Sequence, residues 1–309
     1  MAVRFLATQN LGRHLPPILA SRLRLAVYPS NIAASERRVI AVQAQTGSIL
    51  EGDTLDFHFN PFSIQGYYEF RSVAIALALA APGDTIIEVG ANVGTETVSF
   101  SDVVGSGGAV HAFEPLPTNA HWIRRAVDLS RQNNIILHEC ALSNFSGCAS
   151  FSVPPERSSG TGRVLGDGDA AARNIDVQVT TLDALSKEIG GATLVFVDIE
   201  GNEVQFLRGA EQFLTRHRPA LVLEASPKLL RRARATIDEL YETLRTHRYV
   251  PYRIGRFRAR LAEPATQHHT ENWLCLPEER QRLVGRVNRF LLSCALLPCI
   301  RGLNPLTRA

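Results

Sequence analysis

From Thr85 onward the chain sets short runs of apolar and β-branched residues against longer stretches in which apolar positions recur every three or four residues. The runs predict strands at Thr85–Val89, Ala109–Phe113, Ile135–Cys140, Leu194–Asp198, Ala220–Glu224, Tyr249–Ile254 and Asn272–Leu276. The longer stretches predict helices between them, over Thr95–Val104, Thr118–Arg131, Glu203–Thr215 and Leu229–His247. Alternation of this kind is the pattern of βαβ units, and so of an α/β fold with a mostly parallel sheet covered by helices. One segment breaks the rhythm. Between Ser143 and Thr181, GCASFSVP and NIDVQVTTL alternate like antiparallel strands around the glycine-rich ERSSGTGRVLGDGDAAAR. That predicts two added strands joined by a mobile loop, whose Asp167-Gly168-Asp169 is too short for a calcium loop.

The pattern divides the chain into three parts. Residues 1–81 form a variable N-terminal region of basic amphipathic pieces and aromatic, loop-like sequence such as DFHFNPFSIQGYYEF. Residues 82–277 are the working domain. Residues 278–309 are a C-terminal amphipathic helix and tail, with Leu283, Val287, Phe290 and Leu291 on one face and arginines opposite.

Composition adds bounds. A chain of 309 residues with 45% hydrophobic content can bury one large α/β core. A net charge of +3 is too mild to point to a nucleic-acid partner. The five cysteines form no CxxC pair and no metal-ligand spacing with His, so they read as reduced, buried thiols of a cytoplasmic protein. Arg13, His14 and Pro16-Pro17 interrupt any signal-peptide core, and the apolar run Phe290–Ile300 is too short to span a bilayer. At both ends arginines interleave with leucines. Such segments can cover the core, form a homodimer interface, or make a peripheral contact with an anionic membrane.

The candidate chemistry begins at IIEVGANVGTETVSF, Ile86 to Phe100, where a strand runs into a glycine-spaced loop and then a helix. Gly90 and Gly94 allow a tight turn and close approach of a ligand to the chain. A dinucleotide site is expected to show G-x-G-x-x-G, but position 92 is Asn, which weakens the pyrophosphate reading. Glu114 ends the second strand about twenty residues beyond the loop, where a carboxylate can accept hydrogen bonds from two ribose hydroxyls. A ribose without a diphosphate suggests S-adenosylmethionine.

The motifs PGDTIIEVGANVG, FEPLPTN, CALSNFSG, TTLDAL, FVDIEGNEVQFLRGA, RPALVLE and ENWLCLP follow one another in this order. Together they resemble the FkbM family of S-adenosylmethionine-dependent methyltransferases, from about Gly83 to Pro277. One position departs from the family: Glu88 stands where it usually has Asp. The resemblance implies a Rossmann-like class I methyltransferase sheet with an antiparallel seventh strand, carrying variable N- and C-terminal helical extensions. It implies S-adenosyl-L-methionine as cofactor, and cofactor contacts at Glu88, Gly90, Asn92, Gly94, Glu114, Ala141, Leu142 and Asp198. It also implies methyl transfer to a hydroxyl oxygen, of a sugar in a glycan, glycolipid or glycosylated natural product. The acceptor partner is then a small molecule or glycan.

VFVDIEGNE holds three carboxylates within six residues. Asp198 ends the fourth strand, at the edge where open α/β sheets bind ligands, and is the first candidate catalytic residue; Glu200 is the second. Glu203 in a first helical turn reads equally as dipole complementation, and Glu224 as a pocket wall or an ion-pair partner. Asp183 reads as a helix-start residue at least as well as an adenine contact. His268-His269 reads as a solvated pair; Asp198, Glu200 and Glu203 could together hold Mg²⁺ to polarise a hydroxyl, but the favoured reading has no metal site. Tyr67, Tyr68 and Glu69 fit either a lid over the cofactor or a packed surface strand. Two other functions stay open: a non-catalytic nucleotide-binding protein, and a dinucleotide-dependent oxidoreductase, disfavoured by the missing third glycine.

Overall fold

A computed structural model describes residues 2–129, 133–166, 172–263 and 269–307. Eight strands form the main sheet: β1 Thr85–Val89, β2 Ala109–Phe113, β3 Ile135–His138, β4 Leu194–Val197, β5 Ala220–Ala225, β6 Tyr249–Ile254, β7 Ala259–Leu261 and β8 Glu271–Pro277. Their spatial order is β7-β6-β8-β5-β4-β1-β2-β3. Strands β3, β2, β1, β4 and β5 pair in parallel. The expected antiparallel strand is β8, inserted between β5 and β6. The short antiparallel β7 on the β6 edge was not expected.

The near-continuous apolar strands follow from burial on both faces. Alternate side chains of one strand enter opposite layers. Ile86, Leu194, Val222 and Leu274 face one core, with helices Phe70–Leu79 and Val284–Leu296. Ile87, Val195, Leu221 and Cys275 face the other, with Leu182, Leu207 and Leu240 from helices on that side. The chain moves from β1 outward to β2 and β3, then returns to β4 on the other flank of β1. The crevice at such a reversal is where open α/β sheets take ligands.

Two predicted helices are each divided. Glu203–Gly209 and Glu211–His217 meet at Ala210. Gly209 there packs on Ser143, whose carbonyl oxygen would lie 1.9 Å from an added Cβ. Pro227–Arg232 and Ile237–Thr246 are separated at Arg234, with φ +59°. Thr236 restarts the helix by accepting the Glu239 N–H at 3.1 Å.

The N-terminal region folds as helices Ala2–Gly12, Pro17–Val27 and Ser30–Ser35, a hairpin of Val39–Gln43 with Ile49–Asp53, and helices Phe59–Gln65 and Phe70–Leu79. It buttresses the glycine loop. Leu50, Phe59 and Phe62 pack with Val93, Val98 and Ala126. The inserted segment supplies the two predicted antiparallel strands, Gly147–Ser152 and Asn174–Thr180, with Ala141–Leu142 completing a three-stranded sheet. A 3₁₀ turn, Glu156–Thr161, lies between them; Asp167-Gly168-Asp169 falls outside the described residues.

Of the cysteines, Cys275, Cys294 and Cys299 are buried and Cys140 is half-buried, but Cys148 is exposed, contrary to the expectation of five buried thiols. All five are free. Among the described residues no helix is long and apolar enough to cross a membrane.

Candidate active site

At the end of β1 the chain leaves the sheet through Gly90, with φ +88°. A Cβ at this position would stand 2.0 Å from the Asp198 carbonyl oxygen, so glycine is what lets the tips of β1 and β4 meet. The N–H groups of Gly90 and Ala91 both donate to the Phe113 carbonyl at 3.0 Å, which ties the loop to β2. Asn92 follows in the left-handed region, φ +51°. Its N–H donates to Glu114 Oε2 at 2.8 Å, and the Leu116 N–H donates to Glu114 Oε1 at 2.8 Å. Glu114 therefore shapes the loop as well as facing the cleft. With the Asn119 side chain also bonded to it, the carboxylate keeps a lone pair for a ligand hydroxyl.

The cleft above these tips encloses about 1170 Å³ including its open mouth. It is lined by Glu88, Gly90, Asn92, Glu114, Ala141, Leu142, Asp198, Glu200 and Glu224, so nearly all the expected site residues converge there. Gly94 is the exception. A Cβ on it would meet Ile123 and Leu50, and its N–H donates to the Ala91 carbonyl at 2.9 Å. It makes the turn and does not line the cleft. Glu203 does not line it either: its Oε1 accepts the N–H groups of Ile199 at 3.3 Å and Gly201 at 3.2 Å. That carboxylate holds the turn in which Glu200 takes φ +58°. Asp183 accepts Gln212 and Phe213 N–H groups at 3.0 and 2.8 Å, and so caps a neighbouring helix rather than touching adenine. His269 does not line the cleft, and His268 lies outside the described residues.

The electrostatics of this edge are unusual. Asp198 is crowded by the cleft walls while open to the water within, and burial, with nearby Glu69, raises its pKa to about 6. Burial and the Asp198 charge raise Glu200 to about 7. Burial lifts Glu96 to about 7, Glu114 to about 8 and Glu224 to about 9, the last reinforced by Asp198, Glu203 and Glu200. Glu88 is raised as well by burial, and accepts the Thr97 hydroxyl at 2.5 Å. Crowded carboxyls cannot all ionise at neutral pH, and a cation entering the cleft would favour their charged forms.

Several wall residues were not singled out by the sequence. The N-terminal region contributes His58, and the loop contributes Glu96. Of the two arrangements open to Tyr67, Tyr68 and Glu69, the packed surface strand does not form: they lie in the connection between two helices, with Tyr68 and Glu69 lining the cleft. Glu69 pairs with Arg71 and accepts Asn272 Nδ2 at 3.2 Å. The inserted segment crosses the mouth with Ser159, Gly160 and Arg163. It is latched by the Ser159 hydroxyl, which donates to Asp56 Oδ2 at 2.5 Å, and by the Phe57 N–H, which donates to the Arg157 carbonyl at 2.9 Å. A polar mouth strung between two distant segments leaves no local periodic signal; only the two aromatic-rich and glycine-rich stretches hinted at it.

Unpartnered buried atoms say what the cleft is suited to. Both side-chain atoms of Asn92, Oδ1 and Nδ2, and Oε2 of Glu224 make no hydrogen bond within the chain. Such atoms are costly unless a ligand meets them. With Glu114 at the β2 tip and acids at the β4 and β5 tips, the donor set fits a nucleoside that carries positive charge, as S-adenosylmethionine does in its sulfonium and ammonium groups. Among the described residues no group of three His, Cys, Asp or Glu is placed to hold a metal ion.

Comparisons with known proteins bear on the family. No curated protein matches the chain. A solved methyltransferase FkbM from Methylobacillus flagellatus is 18% identical with a TM-score of 0.42, over 87% of this chain. The overlap spans only 58% of that protein's length. An O-methyltransferase dependent on S-adenosylmethionine, from Thermotoga maritima, is 15% identical over 77% of each chain, with a TM-score of 0.41. An O-methyltransferase from Bacillus cereus in complex with S-adenosylhomocysteine is 14% identical over 67% of this chain and 79% of its own, with a TM-score of 0.38. The family model described as the methyltransferase FkbM domain matches residues 88–251, from the β1 tip to the start of β6 and more than half of the chain. The chain belongs to the FkbM methyltransferase family.

Proposed function

We propose that this protein transfers the methyl group of S-adenosylmethionine, the cofactor of its family, to a hydroxyl oxygen of a sugar-bearing acceptor. The observation that carries the reading is the pair Asp198 and Glu200 at the β4 tip, with pKa values of about 6 and about 7, in the same cleft as Asn92 and Glu114. Groups titrating near neutrality are suited to take the proton of a hydroxyl nucleophile, a contribution of roughly 10²–10⁴-fold.

When bound, the cofactor supplies an activated methyl group on sulfur. The chain's own work is to hold, align and keep water out. Glu114 accepts ribose hydroxyls and Asn92 meets polar edges of the nucleoside, while Ala141 and Leu142 offer an apolar wall. Glu88 and Asp198 face its charged end. Asp198 accepts the acceptor's hydroxyl proton, with Glu200 beside it. Alignment of the two reactants beneath the segment at the mouth can be worth an effective molarity of ~10⁵–10⁸ M.

The test is calorimetric titration with S-adenosylhomocysteine, with NAD as control, followed by transfer of labelled methyl to a panel of glycosides and glycolipids. Binding that Glu114→Ala and Glu114→Gln weaken, with label entering a hydroxyl-bearing sugar, is the expected result. Binding of NAD instead, or label appearing only on amines, would overturn it.

A further inference from the structure

The two termini make one electrically distinct surface. Residues 1–35 contain four arginines and residues 280–309 contain six, and neither stretch has a single Asp or Glu. The rest of the chain, residues 36–279, holds 23 basic and 30 acidic residues. A nearly neutral protein thus concentrates positive charge in two segments. The fold brings them together: helix Pro17–Val27 packs against both Ala2–Gly12 and Val284–Leu296, and the Cys299 N–H donates to the His14 carbonyl at 3.1 Å.

Each of the three helices turns one face inward and keeps an arginine–leucine stripe outside. In the last helix Val287, Leu291 and Cys294 are buried against the core, while Arg289, Leu292 and Leu296, at helical spacing, are exposed. Helix Pro17–Val27 buries Ala20 and exposes Leu19, Arg22 and Leu25. Helix Ala2–Gly12 buries Phe5 and Thr8 and exposes Arg4 and Leu11 at helical spacing, with Leu6 exposed on another side. Ile300 and Leu303 extend the exposed apolar surface along the tail. Of the 16 exposed large apolar side chains among the described residues, nine lie in these two segments.

We propose that this surface docks the protein onto an anionic lipid bilayer. The leucines enter the interface and the arginines meet headgroup phosphates, the arrangement of an interfacial amphipathic helix. Charge decides against the alternatives. A two-fold contact between copies would set arginine stripes against arginine stripes with no carboxylate from either segment to pair them. A nucleic acid would engage the arginines and leave the leucines in water. The inference goes beyond methyl transfer and does not depend on it.

The experiment is co-sedimentation of the full chain with vesicles of phosphatidylcholine alone, or with about one-third phosphatidylglycerol. Expected is at least ~10-fold stronger partition onto the anionic vesicles, weakened by salt. The variants Arg22→Glu/Arg289→Glu and Leu292→Asn/Leu296→Asn each reduce it by about tenfold, while Ile136→Asn on β3, at the opposite edge of the sheet from β7, leaves it unchanged. Equal partition onto both vesicles, no partition, or binding untouched by the leucine variant overturns the proposal. So does elution of the protein as a dimer that the leucine variant dissociates. S-adenosylhomocysteine titration of the same preparations separates this outcome from the fate of the methyltransferase reading, because these side chains do not line the cleft.

Discussion

The carboxyl edge of the sheet gathers acids, and the terminal helices gather arginines, yet the two regions handle charge differently. At the sheet edge Glu88, Glu114 and Glu224 are pressed among protein atoms, and their ionised forms are disfavoured. On the terminal helices Arg22 and Arg289 are exposed to water. The net charge of +3 describes neither region. Charge that a protein buries becomes a set of adjustable pKa values awaiting a ligand; charge that it exposes becomes a long-range field. The first suits chemistry on a bound molecule, the second attachment to a surface.

The strongest way to break this contrast is at the β4 tip. Asp198→Asn should lower methyl transfer by about 10²–10⁴-fold, measured as kcat with saturating cofactor, whereas Arg22→Glu should leave transfer to a soluble acceptor within about twofold. A loss of equal size in both would mean that the arginine surface belongs to the catalytic machinery. Gly90→Ala comes next. Its Cβ would enter the Asp198 carbonyl at 2.0 Å, with φ at +88°. The expected cost is about 2–4 kcal/mol in denaturant unfolding, with loss of S-adenosylhomocysteine binding. An unchanged midpoint would show that the β1 and β4 tips do not meet as described.

Glu203 sharpens the comparison within the acids themselves. Glu203→Ala removes two backbone hydrogen bonds, at 3.3 and 3.2 Å, and should cost about 1–3 kcal/mol. Glu200→Gln should instead lower kcat and leave the unfolding midpoint nearly where it was. The reverse assignment of effects would exchange their roles.

The smallest expected effect is on pH dependence. A carboxyl whose folded pKa is raised binds more protons folded than unfolded, so its contribution to stability falls as pH climbs from its ordinary value through the raised one. Glu114 at about 8 and Glu224 at about 9 therefore predict a melting temperature that drops by roughly 4 °C between pH 6.5 and 9 in the unliganded protein. His111, depressed to about 4 by burial and His138, works in the opposite sense and lowers stability below pH 6.5. A flat melting profile above pH 6.5 would show that the acids are not desolvated. A cationic ligand in the cleft should reduce the slope.

Much of the scaffold is legible along the chain. The boundaries of β1, β2 and β6 agree with the apolar runs, because strands buried on both faces, as β1 and β2 are, are apolar at most positions. Glu114, Asp198 and Glu200 are legible for a related reason: a polar residue directly after such a run marks the strand tip, where sheets of this class bind ligands. The breaks at Ala210 and Arg234 are not visible in periodicity, since the apolar spacing runs through both. Gly209 matters there because of Ser143, 66 positions earlier, which no local window contains.

The chain's pattern by itself determined the alternating α/β architecture, the glycine loop and the acids at the strand tips. Each depends on neighbours along the chain, where periodicity and turn chemistry act. Only the tertiary structure decided which acids face a ligand: Asp198 reaches the cleft, while Glu203 and Asp183 spend their oxygens on backbone N–H groups. It alone joined Asp56 to Ser159 across the mouth, and laid the first helices beside the last. Burial and hydrogen-bond competition are set by what arrives from far away in sequence, and they determine whether a carboxylate serves the fold or stands ready for chemistry.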